Sequence, residues 1–151
     1  MSILPFNLTM ELLFLGFLIL CSAFFSASET AITSLGKLKL REIIERQPSH
    51  RKRYYQEWLE RPEKYLVTLL LGNNTVNLLA SSLATVMTID LLKAMDIKSG
   101  TATIVGVSTG AITVAILVFG EITPKSFAKQ NAEALAERFI GVVYRLSEFL
   151  S

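Results

Sequence analysis

The chain has 151 residues, of which 51% are hydrophobic and only 19% charged, and its mean hydropathy is +0.45. That length suits one domain, yet the composition excludes an ordinary soluble globule. A net charge of +2, with its basic residues gathered in one loop, excludes a nucleic-acid-binding face, and a single cysteine, Cys21, excludes a disulfide framework or a cysteine-based zinc site.

Taken from the N-terminus, the charges leave three gaps. Residues 12–28, 65–89 and 99–120 contain no Asp, Glu, Lys or Arg over 17, 25 and 22 positions. About 20 apolar residues cross the hydrocarbon core as a helix. The expected fold class is therefore an all-α membrane protein with three transmembrane helices, over about 10–35, 64–90 and 99–122. The N-terminus lacks the basic region and short apolar core of a cleaved signal, so the first span is expected to be retained.

Nine basic residues fall between Gly36 and Lys64, and none precedes Lys37. Positive charge stays on the cytoplasmic side. This predicts an outside N-terminus, an inside 36–64 loop and a cytoplasmic C-terminus in a multi-pass cell-membrane protein. The loop after the second span carries Lys93 and Lys98 against Asp90 and Asp96, as an outer loop would.

Two stretches on the inner side have helical periodicity and predict juxtamembrane helices at about 37–61 and 126–150. Leu38, Ile43 and Ile44 lie among charges in the first, followed by Tyr54, Tyr55, Trp58 and Tyr65 at headgroup level. In the second, Ala132, Leu135, Phe139, Val142, Val143, Leu146, Phe149 and Leu150 recur every three or four residues. Such a stripe packs either on the spans or into the inner interface, and emergence on one side favours an interfacial belt.

The polar residues inside the spans sit at matching depths. Ser26 lies nine residues before the expected inner end of the first span, and Asn73 nine beyond Lys64, roughly 14 Å in each case. Ser22 shares a face with Ser26, as Asn77 does with Asn73. In the third span Gly120 and Glu121 precede Pro124, which cannot donate to the Gly120 carbonyl four residues earlier. A helix break with one free carbonyl and one carboxylate is expected there, tolerated only where it is buried or lines a cavity.

Hydroxyl, amide, carbonyl and carboxylate oxygens form a hard donor set that suits Mg²⁺ or Na⁺ rather than Zn²⁺ or Cu⁺. Each residue also has a plainer reading. Ser and Asn in spans hydrogen-bond between helices, and this suits Ser81, Ser82, Thr85 and Thr88 best. Glu29 pairs more naturally with Lys37 or a loop arginine than with a metal. Lys125 snorkels to the interface or balances Glu121, His50 is solvated, and Cys21 is a small buried apolar group.

The motifs Phe25-Ser26-Ala27-Ser28-Glu29-Thr30-Ala31, Leu71-Gly72-Asn73-Asn74 with Asn77, and Phe119-Gly120-Glu121-Ile122-Thr123-Pro124-Lys125 resemble the signature of the CorC/CNNM magnesium transporters, in particular the bacterial CorC branch. The likeness covers nearly the whole chain, one motif per span. It implies three spans with a cytoplasmic belt of juxtamembrane helices, assembled as a homodimer in the lipid bilayer of a bacterial inner membrane. It also implies an inward-opening Mg²⁺ site, with transport coupled to Na⁺. The matching metal positions are Ser26, Asn73, Gly120 through its carbonyl, and Glu121, with Ser22 and Asn77 as nearby candidates. Full-length members continue into a cytosolic CBS-domain pair that binds ATP. Residues 1–151 read as the transmembrane domain alone, from a truncated or unusually short member, so ATP regulation is not carried over.

The sequence thus predicts a Mg²⁺ transporter working by alternating access, not an enzyme. The rival is a membrane Mg²⁺ sensor or scaffold for a cytosolic partner. A hydrolase built on Ser26 and Lys125 is disfavoured, because no nucleophile-elbow motif surrounds Ser26.

Overall fold

In a computed structural model, residues 6–96 and 101–150 are described, and among them every regular element is a helix. The order is α1 (Phe6–Ser34), α2 (Lys37–Arg46), α3 (Ser49–Glu60), α4 (Pro62–Ala94), α5 (Thr101–Ile116), a π-helical turn (Leu117–Ile122), α6 (Thr123–Gln130) and α7 (Ala132–Phe149). Three rods are long and apolar enough to cross a membrane: Leu8–Ser34, Pro62–Ala94 and Ala102–Gln130. Positions 99 and 100 of the expected third span lie outside the described residues.

The element boundaries follow local chemistry. Gly36, extended at φ −67° and ψ 157°, separates α1 from α2. The juxtamembrane stretch over 37–61 forms two helices, because Pro48 forces Gln47 out of the helical region, to ψ 147°. Pro62 opens α4, where its missing N–H is no loss. α4 runs 33 residues, roughly 50 Å. Asp96 closes its end with a positive φ of 53°.

The third rod departs from expectation. It does not break at Gly120 but remains helical through the π turn and α6. The Thr123 N–H bonds the Val118 carbonyl five residues back, so one wide turn absorbs the donor that Pro124 lacks. The rod ends later, at Asn131, whose amide side chain donates to the Phe127 carbonyl at 3.0 Å. The predicted helix over 126–150 is accordingly divided between the end of this rod and α7.

Two apolar clusters hold the bundle. The outer one joins Leu15 and Leu18 of α1, Ala80 and Met87 of α4, and Ile116 of α5. The inner one gathers Ala27, Ala31 and Ile32 of α1 with Tyr55 and Trp58 of α3, Tyr65 and Leu69 of α4, and Ile140 and Val143 of α7. Small residues let the backbones approach: Ala31, Ala80, Ala84 and Ala128 are fully enclosed. α7 buries Ala136, Ile140, Val143 and Ser147 against protein, while Val142, Phe149 and Leu150 of the predicted stripe stay exposed. Phe24 meets Phe139 edge-on at 4.9 Å, and Lys39 reaches Glu133 at 3.2 Å, tying α7 to α1 and α2.

Large apolar side chains elsewhere face outward. Phe14, Phe17 and Leu20 on α1, Leu71 and Leu78 on α4, and Val107 and Val114 on α5 are all exposed. Such surface would be an aggregation hazard in water and is what lipid covers.

Candidate functional site

The two clusters leave a polar layer between them. On α1 it begins one turn beyond Leu18, at Ser22 and Ser26, both fully buried. Their spacing of four places both hydroxyls on the face packed against α4. On α4 the layer is Asn73, 5% exposed, and Asn77. On the third rod it is Gly120, buried in the π turn.

The Ser22 hydroxyl is the hub. It lies 2.7 Å from Asn77 Oδ1, 3.2 Å from Asn73 Oδ1 and 3.2 Å from the Gly120 carbonyl oxygen. Ser26 Oγ donates to the same Asn73 Oδ1 at 3.3 Å. A hydroxyl carries one hydrogen. Ser22 therefore donates to only one of its three neighbours at a time, while Asn73 and Asn77 each add two amide hydrogens to the layer.

The three rods are brought close by missing side chains. A Cβ at Gly120 would stand 2.8 Å from Ser22 Oγ, and one at Gly72 would stand 2.4 Å from a ring carbon of Phe25. Both glycines are required by close approach, α1 to the π turn and α1 to α4.

Glu121 follows Gly120 but points into a different set of contacts. Its Oε1 lies 3.0 Å from Lys125 Nζ, one helical turn on. The same ammonium lies 3.7 Å from Glu29 Oε2 across on α1. That Glu29 oxygen is buried and accepts no hydrogen bond. Glu29 thus pairs neither with Lys37 nor with a loop arginine, because it stands within reach of α6. Lys125 is held between two carboxylates while Ser26 donates to Asn73, so the two do not form a Ser–Lys catalytic pair. Among the described residues no group of three or more His, Cys, Asp or Glu side chains converges as a metal cage.

Five of the six sequence-derived candidates, Ser22, Ser26, Asn73, Asn77 and Gly120, thus converge in one layer, while Glu121, next to Gly120 in the chain, pairs with Lys125 instead. Of the plainer readings, Thr85 and Thr88 return hydrogen bonds to Ser81 and Ala84 of their own helix, and Thr85 also meets Thr109 Oγ1 at 3.3 Å. Cys21 is half-buried rather than enclosed, and His50 is exposed. Sequence reasoning missed two features, the Gly72–Phe25 contact and the Glu29–Lys125 pair. The i, i+4 spacing of Glu121 and Lys125 was available as a signal, but their cross-helix partner was not.

The sequence matches the family model of the Cyclin M transmembrane N-terminal domain over residues 13–151. It is 38% identical over 138 residues, 91% of the chain, to a chloroplastic DUF21 domain-containing protein of Arabidopsis thaliana, where they form 20% of that protein. It is 38% identical over 122 residues, 79% of the chain and 27% of the relative, to a UPF0053 protein of Haemophilus influenzae. With the UPF0053 inner membrane protein YfjD of Escherichia coli it shares 34% identity over 115 residues, 76% of the chain and 25% of the relative. The chain spans a fifth to about a quarter of the length of these relatives. Its three apolar rods and its likeness to an inner membrane protein make it a multi-pass membrane protein. The chain belongs to the CNNM/CorC family, as its transmembrane domain.

Proposed function

We propose that the polar layer binds Mg²⁺ as a transported substrate and passes it across the membrane by alternating access, with Na⁺ as the coupling ion. The observation that carries this reading is the Ser22 hydroxyl facing three acceptors on two other rods. Ser22, Ser26, Asn73, Asn77 and the Gly120 carbonyl supply five neutral oxygens, and Glu121 supplies the negative charge. Six hard oxygens match the octahedral demand of Mg²⁺, with water able to replace any of them. The π turn supports the moving part of the cycle, since such turns interrupt the regular ladder and occur frequently at functional sites.

The orientation we propose puts the N-terminus outside and the 36–64 loop inside, on the distribution of Lys and Arg. The assembly we propose is a homodimer. Gly106 and Gly110, four apart on the exposed face of α5, offer it a small-residue seam. Cytosolic CBS domains would be partners within a longer protein.

Calorimetry of Mg²⁺ with purified protein tests the site: Asn73→Ala and Glu121→Ala should each lose at least about tenfold in affinity, or 1.4 kcal/mol. Wild-type binding by both variants would remove the site. Mg²⁺ flux in proteoliposomes with and without a Na⁺ gradient then separates transport from sensing. Binding without flux would make the chain a sensor or scaffold instead.

A further inference from the structure

Lys125 is the unexplained member of this region. Its ammonium stands 3.0 Å from Glu121 Oε1 on its own rod and 3.7 Å from Glu29 Oε2 on α1. The nearer contact is a hydrogen bond and the farther one is not. Glu29 Oε2 is nevertheless buried without any hydrogen-bond donor, and its side chain is only 21% exposed. Glu29 thus already shares the ammonium as an ion pair but lacks a hydrogen bond from it, which leaves room for the ammonium to draw closer.

A divalent cation bound at Glu121 cannot share that carboxylate comfortably with an ammonium, since like charges a few ångströms apart repel strongly in a partly buried site. The shortest escape is the one the geometry provides. A change in the flexible lysine stem would bring Nζ into hydrogen-bonding range of Glu29 while freeing both oxygens of Glu121. That move also exchanges a pair within one rod for a pair between two. Ion occupancy would then tighten α6 against α1 on the cytoplasmic side.

We propose that Lys125 is a tethered counter-cation, resting on Glu121 when the site is empty and handed to Glu29 when a divalent cation binds. The proposal rests on the Mg²⁺ reading above. Lys125 touches no transported ion and acts through the two carboxylates, so it is a positioning residue, as Glu29 is.

The test is Mg²⁺ calorimetry on the purified chain in detergent, with wild type, Lys125→Gln, Glu29→Gln and the double variant. Lys125→Gln removes the competitor and should tighten binding by at least about tenfold. Glu29→Gln removes the receiving carboxylate, holds Lys125 on Glu121 and should weaken binding by about threefold or more. The double variant should match Lys125→Gln, because Glu29 matters only while there is an ammonium to receive. A purely structural role would not give this dependence. Unchanged or weaker binding by Lys125→Gln overturns the proposal, and so does a double variant weaker than Lys125→Gln, which would make Glu29 a ligand. If Lys125→Gln fails to fold, Glu29→Gln decides alone: wild-type affinity in it overturns the hand-over. Absence of Mg²⁺ binding by both wild type and Lys125→Gln would instead overturn the Mg²⁺ site itself, and the counter-cation with it.

Discussion

Ser22 and Gly120 meet so closely that the hydroxyl oxygen lies 3.2 Å from the Gly120 carbonyl and would lie 2.8 Å from a Cβ on the same residue. The carbonyl is presented to Ser22 only because residue 120 has no side chain. The π turn supplies the other half of the arrangement by widening the helix at that point.

Gly120→Ala should therefore damage the site more than the fold. The new methyl displaces a serine hydroxyl, and overpacking of this kind costs about 1–3 kcal/mol. Mg²⁺ affinity should drop by about tenfold or more, while helix content by circular dichroism stays at the wild-type level. An alanine variant with wild-type affinity would show that Ser22 and the carbonyl do not act together.

Gly72→Ala is expected to behave in the opposite way. Its Cβ would fall 2.4 Å and 2.6 Å from two carbons of the Phe25 ring, and a half-buried phenyl has less freedom to yield than a hydroxyl. The variant should lower the thermal midpoint through a loss of about 1–3 kcal/mol at the α1–α4 contact. Adding Phe25→Leu should recover part of that loss. If the double variant is as unstable as the sum of the two single changes or more so, the clash is not the cause.

These two glycines mark the limit of what the sequence discloses. The charge-free runs and the clustered lysines and arginines reveal the three rods, because lipid imposes length and polarity on each segment separately. Ser22, Ser26, Asn73 and Asn77 could be paired by helical spacing and placed at one depth by rise per residue. What lies between segments was less legible. Pro124 signalled an unmet carbonyl at Gly120, but a break and a π turn answer that signal equally well. Glu29 carried no local sign that its partner would come from α6, since Lys125 is distant in sequence and a cross-helix pair has no fixed spacing. The apolar stripe of α7 fitted lipid and protein alike, and α7 divides it, with Val143 buried and Val142, Phe149 and Leu150 exposed.

Tyr55 on α3 offers a test away from the spans. Its ring is fully enclosed in the inner cluster and its hydroxyl has no hydrogen-bond partner. Burial, with Glu137 nearby, pushes its phenol up to about 12 from an ordinary value of 10.0. A group whose folded value is raised contributes fully below its unfolded value and loses that contribution as pH rises through the folded one. Wild type should thus lose stability between about pH 10 and 12 as the unfolded chain ionises first. Tyr55→Phe should reduce this alkaline loss. Near neutral pH it should leave stability unchanged or raise it by up to about 1 kcal/mol, because an unpaired buried hydroxyl is removed. A strongly destabilised phenylalanine variant at neutral pH would mean that the hydroxyl has a partner after all. The readout is thermal unfolding of both proteins across pH 7–12.

The last expectation concerns the proposed dimer. Gly106 and Gly110 lie on one face of α5, both exposed, with nothing within 4 Å of the position a Cβ would take. Within one chain these glycines serve no packing purpose, and a glycine inside a helix costs roughly 0.5–1 kcal/mol relative to alanine. Close approach by a second helix is the use that repays two of them four residues apart. Leucine at both positions starts from a Cβ that meets nothing within 4 Å in the single chain, and its bulk would hold a partner helix away. The double variant should therefore keep its thermal midpoint at high dilution in detergent and sediment as a monomer where wild type sediments as a dimer. A variant that still dimerises places the seam elsewhere, and α4, with Leu71 and Leu78 exposed, is then the face to examine.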